Sequence, residues 1–153
     1  MTKFKRVARY DMKIAEEGKW FPVLDEFDVE HGAFKCVFFE IGSPAWQAAN
    51  ERAERDNKNK KGFRQAPKLN KREAAKEEDR ETVRNFVDHV LIDWRGIEDE
   101  HGKPVKFSRE AALSYFDLED PTALYVFRRL MHLTGDVRQF QPDEQGGELP
   151  EGN

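Results

Sequence analysis

The sequence predicts an α+β protein, a small N-terminal β-sheet or hairpin followed by a mainly α-helical part of about four helices. Three observations predict this class. Aromatic and β-branched residues crowd into two runs near the start, residues 19–24 and 33–41. Beyond residue 43 the apolar residues recur at spacings of three and four, the period of a helix with one buried face. The strand-like runs come first and the helical ones follow, so alternating βαβ units are disfavoured, and no internal repeat is visible.

In the first strand Pro22 lacks a backbone N–H and so favours an edge position. His31-Gly32 reads as the turn before the second strand. There Phe34, Cys36 and Phe38 alternate with Lys35, Val37 and Phe39, so one face is wholly apolar and must be covered. Ser43 is a good N-cap and Pro44 suits the first helical position, which predicts a covering helix from Pro44 to about Arg55 with Trp46, Ala49, Asn50 and Ala53 on one face. A longer helix is expected from near Lys71 to Gly96, because Val83, Phe86, Val87, Val90, Leu91 and Trp94 fall at i, i+3, i+4, i+7, i+8 and i+11. Its first turns, through Arg80, carry charges and Ala74-Ala75 and read as a solvated extension. After a polar turn over residues 98–102 and an extended stretch over 103–107, Ser108 caps a short helix ending near Leu118. Asp120-Pro121 starts the last helix, with Leu124, Phe127, Leu130 and Met131 on its apolar face, joined by Val137 and Phe140 if the helix passes Gly135. The expected organisation is a sheet with its covering helix (1–56), a basic and mobile stretch (57–76), a helical domain (77–140) and a disordered acidic tail (141–153).

Composition narrows the function classes. Charged residues make up 37% and hydrophobic residues 38%, and mean hydropathy is −0.87, so no stretch approaches the roughly 20 apolar residues that span a bilayer. The basic start has no apolar run of signal-peptide length behind it, and a cytoplasmic protein is expected. Cys36, the single cysteine, lies among Phe34, Val37, Phe38 and Phe39 and reads as a packing thiol. His31, His89, His101 and His132 are scattered without HExxH or CxxC spacing, and Glu98-Asp99-Glu100 lacks the ligand series of a calcium loop. No glycine-rich phosphate loop is present, and Ser108 reads as a helix cap without the surroundings of a nucleophile. The expectation is therefore a protein without catalytic residues, metal or cofactor.

Net charge is −4, yet residues 57–76 hold Lys58, Lys60, Lys61, Arg64, Lys68, Lys71, Arg72 and Lys76 against Glu73 alone, a local excess of +7. A solvated loop is the first reading of such a run, a protein contact the second and phosphate binding the third. Phe63 inside it, and Tyr125, Arg128 and Arg129 on the last helix, are the candidate partner-binding residues.

The run Val90-Leu91-Ile92-Asp93-Trp94-Arg95-Gly96-Ile97, followed by Asp99, Gly102, Pro104, Val105, Phe107, Ser108 and Glu110, resembles the C-terminal half of siphophage tail assembly chaperones. The front half is similar as well, with Trp20 in a strand, Phe34 and Phe39 in the next, and a helix start at Ser43-Pro44-Ala45-Trp46. The resemblance covers roughly residues 18–140 and departs at the basic stretch. It implies a non-enzymatic protein of tail morphogenesis that binds the helical tape measure protein, keeps it soluble, helps recruit tail tube subunits and is absent from the finished virion. In many relatives a ribosomal frameshift adds a C-terminal extension, for which the acidic tail is the place. Two alternatives stay open beside it, a small phage nucleic-acid-binding or regulatory protein and a minor structural tail component.

Overall fold

The computed structural model describes residues 1–62 and 69–142, apart from the side chains of residues 59–62. Their order is α1 (Met12–Glu17), β1 (Lys19–Leu24), β2 (Glu30–Cys36), α2 (Pro44–Gly62), α3 (Lys71–His89), β3 (Leu91–Arg95), α4 (Arg109–Tyr115) and α5 (Pro121–Thr134), closed by a 3-10 turn at Val137–Phe140. The expected α+β arrangement is what forms, a three-stranded antiparallel sheet with helices packed on it. Phe63 and the rest of residues 63–68, and the tail from residue 143, lie outside the described residues. No helix among the described residues is long and apolar enough to cross a membrane.

Local chemistry explains most boundaries. Asn70, Ser108 and Asp120 accept backbone N–H groups at the starts of α3, α4 and α5, and Pro121 opens α5. The Ser43 hydroxyl accepts from Trp46 N at 3.3 Å while its carbonyl accepts from Gln47 N at 2.9 Å, so the expected cap forms. The helix behind it runs past Arg55 to Gly62, because residues 56–61 contain neither Gly nor Pro to break it. Consequently residues 57–62 of the basic stretch are helical, and Lys71 to Lys76 belong to α3. The short α1, capped by Asp11, has no counterpart in the sequence reading.

The turn between the first two strands is placed differently from the expectation. Asp25 Oδ1 accepts from Phe27 N at 2.8 Å and Val29 N at 3.0 Å, which folds residues 25–29 into the turn and leaves His31-Gly32 inside β2. Gly32 has φ +103°, and a Cβ there would lie 2.6 Å from the Ile97 side chain and 3.2 Å from Arg95 O, so a glycine is required where the strand meets its neighbour.

The larger correction concerns residues 90–96. α3 ends at His89, and residues 91–95 form β3, which pairs with β2 through Ala33 to Arg95, Phe34 to Trp94 and Lys35 to Asp93. The pairing then shifts to Cys36 opposite Leu91, an irregularity that adds one residue on the β3 side. That extra residue lets Leu91 and Trp94, three apart, both turn inward while Ile92 stays exposed. The sheet order is β1-β2-β3, with Pro22 on an edge strand as expected. The last helix stops at Gly135, and Phe140 reaches the core from the 3-10 turn instead.

One core joins the sheet to the helices. Phe34 of β2 lies 6.5 Å from Trp94 and 5.9 Å from Phe116, and Phe116 in turn lies 5.7 Å from both Phe86 and Phe127. Aromatic pairs of this kind are worth about 0.5–1.5 kcal/mol each beyond the area they bury. Cys36 is fully buried in this core, and desolvation pushes its thiol well above the ordinary range, so it packs as an apolar group.

Candidate functional site

The amphipathic character of α3 places a groove along one side of the helix. Its C-terminal half buries Val83, Phe86 and Val87, while its first turns leave the core and stand beside α4 and the loop after it. Between them lies a groove of about 600 Å³. Val83 and Phe116 form its apolar floor, and half-buried Leu113 and Leu118 form one wall. The rim is charged on both sides, with Lys76, Arg80 and Arg84 on α3 facing Asp117 and Glu119. Lys76 Nζ meets Glu119 Oε1 at 2.9 Å, closing one end, and this cation holds the Glu119 carboxyl below its ordinary value. An apolar floor inside a charged rim is the surface character that helix-in-groove recognition uses.

Asp88 ties α3 to its two neighbouring helices. Its carboxylate takes Arg109 Nε at 2.7 Å from α4 and an ion pair from Arg52 of α2. Arg109 above all, with Arg52, holds Asp88 below the ordinary carboxylate range against the opposing effect of burial. Three helices are thereby fixed at one point.

Of the sequence-derived candidates, Tyr125 is half-buried and works within the fold. Its hydroxyl donates to Leu24 O at 3.2 Å and its ring stands 6.2 Å from His31, which itself pairs with Asp25 at 2.8 Å. Arg128 and Arg129 are exposed one turn further along α5. These three share a face of α5 and do not line the groove, whose residues sequence reasoning missed. Leu113 and Leu118 carried the signal, as apolar residues on and after a short helix that no strong periodicity assigns to a core. The four histidines lie apart, on β2, at the end of α3, in the turn at residue 101 and on α5. Among the described residues no three or more His, Cys, Asp or Glu stand close enough to hold a metal ion.

Residues 41–147, more than two thirds of the chain, match a family model described as YdaY prophage protein. No curated protein and no solved structure matches the chain.

Proposed function

This chain belongs to the YdaY prophage protein family, and from that premise of a phage-derived protein we propose that it is a tail assembly chaperone for the tape measure protein. The groove between α3 and α4 carries the proposal. A tape measure protein is a long series of amphipathic helices, whose apolar stripes are exposed and self-associate until the tube surrounds them. A helix laid in the groove sets its stripe against Val83, Leu113, Phe116 and Leu118, and its flanking charges meet the mixed rim. Helix-in-groove packing needs no catalytic group, so the protein acts without turnover, without metal or cofactor, in the host cytoplasm and outside the finished virion. Tail tube subunits are a second partner, recruited to the same assembly.

Co-expression with the tape measure protein of the same phage tests this reading. The partner should move from the insoluble to the soluble fraction and co-purify with the chaperone at moderate salt, because apolar contact dominates. A partner equally insoluble with and without the chain would overturn the proposal. So would a chain that instead shifts DNA or RNA with the steep salt dependence of phosphate binding.

A further inference from the structure

Two exposed features at opposite ends of the sheet are complementary in charge and in apolar character. The first is the N-terminal arm, residues 1–9, which carries Lys3, Lys5, Arg6 and Arg9 and no acid, with Phe4 68% and Val7 88% exposed. The arm leaves the fold at Tyr10 and Asp11, beside Phe38 and Phe140, and Arg9 reaches Glu40 at 3.2 Å. This is the end of the sheet where β1 begins. The second is the turn between β1 and β2, where Leu24 and Val29 are half-exposed and Phe27 is 79% exposed, framed by outward Glu26, Asp28 and Glu30. Asp25 accepts two backbone hydrogen bonds that shape this turn and leave Phe27 facing outward.

We propose that residues 1–9 of one copy dock on residues 24–30 of a second copy, Phe4 and Val7 packing against Leu24, Phe27 and Val29 while Lys3, Lys5 and Arg6 face Glu26, Asp28 and Glu30. Charge complementarity selects this occupant, because the arm supplies cations and apolar groups in the same short segment and the turn supplies their opposites. The arm's base and the turn are separated by the six residues of β1, roughly 20 Å at the usual rise of a strand. Each copy therefore offers a donor at one end and an acceptor at the other, and the contact is head-to-tail, building rings or open chains. Both features precede residue 41, so the inference stands apart from the groove and from the segment that carries the family match.

Sedimentation velocity on the full chain, from micromolar to millimolar concentration, tests it. The parent should self-associate at about 0.05 M salt and dissociate substantially by about 0.5 M, where charges in solvent are screened over a few ångströms. Deleting residues 1–9, or making Phe27→Ser, should weaken association at least tenfold with unchanged circular dichroism, since both changes fall on exposed residues. Each variant keeps the half that the other lacks, so an equimolar mixture of the two should form a one-to-one complex and stop there. A parent that stays monomeric throughout, including one whose arm folds back on its own turn, would overturn the proposal. Self-association untouched by either change, or a mixture that does not pair, would overturn it too.

Discussion

Trp94 joins three parts of the fold through one side chain. It is 5% exposed on β3, its indole N–H donates to Val105 O at 2.9 Å, and its ring packs edge-on against Phe107 at 5.4 Å and Tyr115 at 5.7 Å. Removing a buried aromatic of this kind costs about 3–5 kcal/mol, so Trp94→Ala should unfold the protein or lower its melting temperature sharply. A melting curve like the parent's would show that the strand and the segment after it are held by other contacts. His89 gives a second handle at this scale. Burial foremost, and then the nearby Arg52, lower its pKa below the ordinary 6.5, with Asp88 acting the other way, and its Nε2 is buried without a hydrogen-bond partner among the described residues. The folded state thus binds the His89 proton less readily than the unfolded chain does. Stability should be full above pH 6.5 and decline as the pH falls below it. Urea midpoints at neutral and mildly acidic pH should show that decline, and His89→Leu should reduce it; an equal decline in the variant would assign the effect elsewhere.

At the scale of elements, α2 hangs on few contacts. Among the described side chains of α2, Ala49 is the apolar one buried, and the Arg52 ion pair to Asp88 supplies a polar anchor. Asp88→Ala leaves two arginines without this acceptor and should cost roughly 1.5–3 kcal/mol, the usual scale for hydrogen bonds to charged groups. Amide exchange should speed up in α2 and at the start of α4 while β3 keeps its protection. Unchanged exchange in α2 would mean that Ala49 and Trp46 hold the helix unaided. The elements also show where a sequence can be read. Ser43, Ser108 and Asp120-Pro121 announced their helices because a cap is a local event, settled by side chains within three residues. β3 hid because Leu91 and Trp94 continue the three-and-four spacing of Val83, Phe86, Val87 and Val90. Inside a strand, residues three apart share a face when an extra residue interrupts the pairing, as Ile92 does here. What ends α3 is the open edge of β2, a partner more than 50 residues away that periodicity cannot register. The Asp25 turn was missed for a related reason. Gly32 looked like a turn residue, and its positive φ answers instead to the approach of Ile97.

On the scale of the whole molecule, the sheet and the helices share one aromatic core, and the groove lies at its edge. Tyr125, Arg128 and Arg129 stood out in the sequence as polar and aromatic residues on an amphipathic helix, yet Tyr125 is engaged in holding the β1–β2 hairpin to α5. The groove was illegible because its walls come from α3 and from residues 113–119, which meet only once Phe86 and Phe116 have packed. That groove carries the central claim, that an apolar stripe of a helical partner binds between α3 and α4. The most direct measurement is a pull-down of the tape measure protein by the double variant Leu113→Ser, Leu118→Ser beside the parent, at moderate salt and with melting curves in hand. Both leucines are half-buried at the groove wall, so the variant should remain folded with a somewhat lower melting temperature. The parent should hold its partner and the folded variant should lose most of that binding, by about tenfold or more for two apolar contacts worth roughly 1 kcal/mol each. A folded variant that retains the partner as tightly as the parent would contradict it.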